Sequence, residues 1–276
     1  MSSLQQDAVI VTTTFTTDPV GDYRFQLALQ MCQTARVLGY PTFVVDGSRF
    51  HVTASEALMG AGATHVDEQK EKGMGASRRQ CIKAGLNVVR TADLIAGYTP
   101  NRAFEDVDAI VWIEPEKVGM VPCLAPCIEM VRQGYDIVVP WRNRLFADYP
   151  HYQALSEARA NAEIAEVTGM NLDLYIGPRI MSRRGAELLL SYHGQSRVDP
   201  NVKLDDNWGI LFVPILWALQ DGLKVGSCPV DYVHPAIQTA VESRMPEMDR
   251  KRDTQRVALV NAMRQEAELI GLKRAA

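Results

Sequence analysis

Several features that would assign a protein class at once are absent from this 276-residue chain. Its formal net charge is −4, so no basic excess indicates binding to nucleic acid or to an anionic membrane. No apolar run approaches the ~20 residues of a membrane-spanning helix. The first residues also lack the basic and apolar regions of a secretory signal. We therefore expect a cytoplasmic protein that binds no nucleic acid and has no membrane span.

The cysteines are too few and too scattered for a disulfide framework. An odd number of dispersed cysteines is typical of reduced thiols in the cytosol. Two of them lie four residues apart, but no His or Cys follows at the spacing of a zinc site. We therefore expect all of them to be packing residues; they are Cys32, Cys81, Cys123, Cys127 and Cys228.

The chain does contain a regular alternation of strand and helix patterns, which predicts a mostly parallel sheet flanked by helices. Predicted strands cover residues 8–14, 41–46, 63–66, 108–113, 135–140, 173–176 and 223–232. Predicted helices cover residues 22–38, 52–59, 75–96, 123–134, 152–168, 184–192, 206–221 and 247–272. The alternation loosens near Trp141, and residues 141–150 are expected to form a loop. This pattern divides the chain into an α/β half (1–140), a second half of the same domain (141–240) and a C-terminal helix (241–276).

Two carboxylates follow the most apolar predicted strand. The run DAIVWI ends at Ile113, and Glu114 and Glu116 come directly after it, separated by Pro115. Ligands of open α/β sheets bind beyond the carboxyl ends of the strands. Carboxylate oxygens suit Mg²⁺ and Mn²⁺, which commonly bridge to substrate phosphates. The stretch therefore indicates either a ligand site or simply a strand that ends in solvated acids and a turn.

Other charged and polar residues occur at the ends of predicted elements in a particular order. Asp46 closes FVVDGS, and Arg78 follows the glycine-rich turn KGMGAS. Asp205 and Asp206 come before Trp208 in an apolar helix pattern, and His234 follows the last strand. With the Glu-Pro-Glu element, this order resembles the GT-A-fold nucleotide-sugar glycosyltransferases, a broad family that includes many bacterial inverting synthases. The resemblance covers residues 8–235.

The resemblance implies a role for each of these positions. The nucleotide would be bound by Thr13, Asp46, Arg78 and Glu114. A Mn²⁺ or Mg²⁺ ion would be held by Glu116 and His234, and Asp206 or Asp205 would be the acceptor base of an inverting enzyme. Apart from the resemblance, an aromatic followed by cations after a strand indicates that Trp141 and Arg142 contact sugar, phosphate or an anionic acceptor, and Trp208 would stack on a sugar. The chain departs from the family in carrying Glu-Pro-Glu in place of Asp-x-Asp, and it lacks the Gln-x-x-Arg-Trp element of processive synthases.

Several of these residues also have a purely structural interpretation. Asp206 stands where a helix would begin, and Asp is a favoured N-cap residue. Asp46 precedes Gly and Ser, which is common turn chemistry. His234 could pack a loop before Pro235. The functional interpretation therefore depends on whether the fold brings these side chains together.

The leading hypothesis is a glycosyltransferase that moves a hexose from a UDP- or GDP-sugar to a small-molecule or glycan acceptor, with help from a divalent metal. The alternative is a catalytically degenerate GT-A-like protein that binds a nucleotide or glycan. A nucleotidyltransferase ranks third, because TTTFTT at residues 12–17 is not the glycine-rich basic loop expected after the first strand. The charged C-terminal helix suggests a homo-oligomer as a further hypothesis.

Overall fold

The strand patterns fold into a single seven-stranded sheet. The computed structural model describes residues 8–95 and 107–272. The strands lie in the order β3-β2-β1-β4-β6-β5-β7, and β6 alone runs antiparallel to its neighbours. The predicted open, mostly parallel α/β sheet is confirmed. The strands are β1 (Ala8–Thr14), β2 (Thr42–Asp46), β3 (His65–Glu68), β4 (Ala109–Trp112), β5 (Ile137–Arg142), β6 (Arg179–Met181) and β7 (Val225–Val230).

Helices flank this sheet, and the predicted C-terminal helix packs against two of them, α6 and α8. The helices are α1 (Tyr23–Val37), α2 (His51–Ala61), α3 (Met74–Ile95), α4 (Leu124–Arg132), α5 (Leu145–Asp148), α6 (His151–Thr168), α7 (Arg183–Leu190), α8 (Val213–Gln220), α9 (Ala236–Glu242) and α10 (Pro246–Leu269). None of the helices within the described ranges has the length and apolar character that a membrane crossing requires. All five cysteines are free thiols.

The centre of the sheet explains the apolar runs in the sequence. Residues Ala8 to Val11 of β1 and residues Ile110 and Val111 of β4 have no exposed surface, because strands on both sides and helices cover them. The strands β1 to β4 are parallel, so their carboxyl ends meet at one edge. Thr14 pairs with Asp46 across that edge, and Glu114 lies just beyond β4.

Some local predictions were wrong. The strand predicted over residues 173–176 is a short 3₁₀ helix (Leu174–Ile176), and the strand comes after Gly177 and Pro178 instead. Helix α8 starts at Val213 rather than residue 206, because Pro214 occupies its first turn, where a missing N–H costs nothing. Short helix α5 lies inside the predicted loop, and α9 was not predicted. The last residue of the helix predicted over 75–96 lies outside the described residues.

Candidate active site

A wide cleft of about 800 Å³ opens at the carboxyl edge of β1, β2 and β4. Its walls bring together six residues that the sequence had singled out, although the first and the last of these, Thr13 and Trp208, are 195 positions apart in the sequence. The cleft also contains the basic side chains of Arg24, Lys70 and Lys72. The six residues are Thr13, Asp46, Arg78, Glu114, Glu116 and Trp208.

Asp46 is buried at the floor of the wide cleft and already has several partners. Its Oδ1 accepts hydrogen bonds from the hydroxyls of Thr14 (2.8 Å) and Ser48 (2.6 Å). Its Oδ2 lies 3.0 Å from Nδ1 of His51. The carboxylate therefore fixes the side chains of three neighbours, and a ligand that bonded directly to it would have to share these oxygens.

Arg78 lies between two tryptophans at the back of the wide cleft. Its guanidinium carbon is 4.0 Å from the ring centroid of Trp208 and 5.3 Å from that of Trp112. The side chain donates to the backbone carbonyl of Asn207. Burial lowers the pKa of Arg78 to about 10, although the nearby carboxylate of Glu114 opposes the shift. Arg78 therefore stays charged at neutral pH and holds Trp208 against the cleft wall.

Glu114 is buried where the backbone comes very close. Gly177 has a φ of +95°, and a Cβ at this position would overlap the Glu114 carboxylate. Burial raises the pKa of Glu114, while the positive charge of Lys117 opposes the rise. Its Oε2 has no hydrogen-bond partner within the described part of the chain. This buried carboxylate therefore has one oxygen whose partner the described residues do not supply.

A second cavity, the inner chamber, adjoins the wide cleft. It has a volume of about 180 Å³. Both cavities are lined by Arg24, Glu114, Glu116 and Trp208, so they meet at the Glu-Pro-Glu element. Helix α10 contributes further lining residues: Met248, Lys251, Arg252, Gln255, Arg256 and Leu259. The two cavities therefore adjoin at Glu114 and Glu116.

His234 lines the inner chamber and is only 3% exposed. Its ring stacks on Tyr149 with 4.0 Å between centroids, and its Nδ1 lies 3.3 Å from the hydroxyl of Tyr232. Burial, together with the charge of Lys117, lowers the pKa of His234 to about 3. Its Nε2 has no hydrogen-bond partner among the described residues. A neutral imidazole with one nitrogen unpartnered is the form that ligates metals.

The residues present fit a divalent cation only in part. Glu116, His234 and the unpartnered oxygen of Glu114 line the same chamber. However, no group of three or more His, Cys, Asp or Glu side chains in residues 8–95 and 107–272 is arranged to hold a metal ion. A bound Mn²⁺ or Mg²⁺ would therefore complete its coordination with substrate phosphate oxygens and water, as Mg²⁺ commonly does.

Comparisons with known proteins bear on the fold. No family model matches the chain, and no curated protein matches it. Among solved structures, mannosyl-3-phosphoglycerate synthase from Rubrobacter xylanophilus superposes with a TM-score of 0.53 at 13% identity. The match covers 99% of this chain and 78% of that one. The chain has a GT-A-like fold.

Two cytidylyl-type enzymes also superpose on the GT-A-like sheet, but less well. The 4-diphosphocytidyl-2C-methyl-D-erythritol synthase of Anaerococcus prevotii gives a TM-score of 0.46 at 8% identity, over 92% of this chain and 99% of that one. A cytidylyltransferase of Leptospira borgpetersenii gives a TM-score of 0.44 at 11% identity, over 98% of this chain and 99% of that one. Likeness at this level supports no argument about activity.

The two acids predicted as alternative bases have different surroundings in the GT-A-like fold. Asp205 Oδ2 accepts from the N–H groups of Trp208 (2.6 Å) and Gly209 (2.9 Å) and so caps the short helix Gly209–Leu211. It also lines a third cavity, of about 290 Å³, beside Trp208. Asp206 accepts two hydrogen bonds from Arg79, at 2.5 and 3.0 Å, and lines none of these three cavities. Of the two, Asp205 is the one that faces a cavity.

The remaining predicted residues, Trp141 and Arg142, lie at the end of β5 and line none of the three cavities. Arg142 is buried and makes two hydrogen bonds of 2.6 Å to Asp173 and one of 2.6 Å to Glu157. Burial opposes its positive charge, but these carboxylates hold its pKa well above the usual range. Arg142 therefore stabilises the wall behind the inner chamber.

Charged residues that the sequence analysis missed also line the inner chamber, among them Lys117, Glu242, Arg24 and Arg252. Lys117 is buried against the rings of Tyr149 and Tyr232, with 3.4 Å from its Nζ to the Tyr149 hydroxyl. Glu242 accepts a hydrogen bond of 2.6 Å from Arg24 and a second hydrogen bond from Arg252. Only the position of Lys117, directly after the Glu-Pro-Glu element, could have drawn attention to it from sequence.

Proposed function

We propose that the protein is a glycosyltransferase that moves a hexose from a nucleoside diphosphate sugar to a small acceptor. One observation carries the proposal: a cleft large enough for a nucleotide adjoins a smaller chamber, and the two share the lining residues Glu114, Glu116, Arg24 and Trp208. A nucleotide sugar likewise has a larger part, the nucleoside, and a smaller part, the sugar, and a diphosphate links the two. The diphosphate would lie at this junction, beside the guanidinium of Arg24 and the indole N–H of Trp208, which has no partner among the described residues.

The chain's own residues would perform three tasks. Arg24 and Lys117 supply positive charge beside the junction, where the departing diphosphate becomes more negative. Trp208, held by Arg78, separates the junction from the third cavity. Asp205 lines that cavity and would accept the proton of an acceptor hydroxyl that enters there. A divalent cation held by Glu116 and His234 would add charge neutralisation at the diphosphate.

Calorimetry with UDP, GDP, UDP-glucose and GDP-mannose, with and without Mn²⁺, tests the proposal. We expect one nucleotide series to bind, and we expect Mn²⁺ to strengthen its binding. Glu116→Gln should abolish the metal effect, while Glu129→Gln, at an exposed position on α4, should leave it intact. If none of these nucleotides binds, the proposal is wrong.

Two observations favour a second candidate, a GT-A-like protein that binds without turnover. Each carboxylate oxygen of the predicted base Asp206 accepts a hydrogen bond from Arg79, and Glu-Pro-Glu replaces the usual cation element. Donor binding with no release of free sugar or of glycosylated product in a mass-spectrometric assay would support this candidate. Release of pyrophosphate from a nucleoside triphosphate and a sugar phosphate would instead indicate nucleotidyl transfer.

A further inference from the structure

Two buried glutamines on different helices line the inner chamber in the same way. Gln153 on α6 is 7% exposed and Gln238 on α9 is 5% exposed. In each case the amide nitrogen donates to a glutamate one turn further along the helix: Gln153 to Glu157 (2.7 Å) and Gln238 to Glu242 (3.1 Å). Since a carboxylate accepts only from the NH₂ side of an amide, both side-chain oxygens are left for another partner.

The orientation of these amides is fixed by a further layer of charges. Arg142 donates to Glu157 at 2.6 Å, and Arg24 donates to Glu242 at 2.6 Å. The glutamates therefore cannot turn away without breaking buried ion pairs. The two glutamine oxygens have no hydrogen-bond partner among the described residues. Buried acceptors that are held rigidly without a partner are typical of a preorganised binding site.

The other walls of the inner chamber restrict its occupant. Trp208 presents an indole N–H that also has no partner in the described ranges. Tyr175, Phe212 and Leu259 provide apolar surface. The chamber has a volume of about 180 Å³, which suits a small molecule. The occupant must therefore be one small molecule that donates hydrogen bonds at two points, accepts at another and has apolar C–H faces.

A monosaccharide unit meets all of these requirements, because each hydroxyl both donates and accepts and the ring carbons pack against aromatic faces. We propose that the inner chamber binds one monosaccharide-sized polyhydroxylated unit and that Gln153 and Gln238 determine which sugar is accepted by bonding to its hydroxyls. This inference rests on the proposed function for the source of that sugar.

The test uses Gln153→Met and Gln238→Met, which keep side-chain length and remove the oxygen. Each glutamate keeps its arginine, so the variants should fold, and cooperative thermal unfolding checks this. The matched control is Gln133→Met: Gln133 also donates to a glutamate one turn away (Glu129, 3.2 Å) but is exposed and lines none of the three cavities. Calorimetry then compares each variant with the unsubstituted chain for UDP, GDP, UDP-glucose, GDP-mannose, free glucose and free mannose.

If the sugar belongs to the donor, each chamber variant should bind the nucleotide sugar about tenfold more weakly and the free nucleoside diphosphate unchanged. If the sugar belongs to the acceptor, the loss should appear instead with the free monosaccharides. Unchanged affinity for every sugar-bearing probe would overturn the inference while the proposed function stands. The unsubstituted chain could instead bind no nucleotide but bind free sugar, and lose that sugar binding in the two glutamine variants. This result would overturn the proposed function alone.

Discussion

His234 should make the stability of the protein depend on pH above the range in which carboxylates titrate. Its pKa falls from 6.5 to about 3 on folding, because burial and nearby cations disfavour the charged ring. Between about pH 3 and pH 6.5, His234 therefore carries a proton in the unfolded chain but not in the folded chain. Stability due to neutral His234 is fully present above pH 6.5 and is lost as the pH falls below it.

The size of this effect follows from the two pKa values. Each pH unit within the window changes the free energy of unfolding by at most about 1.4 kcal/mol. Between about pH 7.5 and about pH 5, a single group with these values lowers the free energy of unfolding by about 2 kcal/mol. The shift reflects a buried ring, so exposed histidines should contribute far less.

Urea unfolding of the unsubstituted chain and of His234→Phe at both pH values measures the effect. Phenylalanine keeps the stacking on Tyr149 and does not titrate, so any loss of the contact to Tyr232 is the same at both pH values. We expect the pH-dependent loss to be smaller by about 2 kcal/mol in the variant. Equal pH dependence in His234→Phe and the unsubstituted chain would refute the reasoning.

Two further substitutions test the structural basis of the site. Glu242→Gln removes the carboxylate that pairs with the partly exposed Arg24 and Arg252 and should lower the free energy of unfolding by about 1.5–3 kcal/mol, against less than about 0.5 kcal/mol for exposed Glu129→Gln, as measured in urea; similar losses would contradict the geometry. Gly177→Ala adds a Cβ that overlaps Glu114, whereas Gly134→Ala has a comparable φ of +89° and no atom nearby. Both should lose about 1 kcal/mol or more through backbone strain, and only Gly177→Ala should also weaken nucleotide binding in calorimetry.

The sequence predicted the fold where the physical signal is local. Apolar runs marked β1, β2 and β4, and Asp22 at the start of α1 accepts from the N–H groups of Arg24 and Phe25, as a helix cap should. The sequence did not predict β6, because this strand has only three residues, Arg179–Met181, which are too few to show an alternating pattern of apolar and polar side chains. The antiparallel direction of β6 depends on which strands flank it, and no local pattern contains that information.

The candidate site was predictable to the extent that strand ends converge. Topology alone placed Asp46 and Glu114 at one edge of the sheet. The pairing of side chains was not predictable, because partners lie far apart in the sequence: Arg142 with Asp173, and Arg79 with Asp206. The inner chamber was missed for the same reason, since its walls come from helices that meet only when α10 packs on α6.

The position of β6 has a consequence for the order of folding. Strands β1 to β4 can pair as soon as the first 112 residues exist, but β4 and β5 are never neighbours. Residues 179–181 must insert between them before β5 and β7 can join the sheet. During synthesis, the open edge of β4 therefore waits for some 70 further residues, counted from residues 112 and 181. Unpaired strand edges promote aggregation, so this interval is where a nascent chain most needs a chaperone.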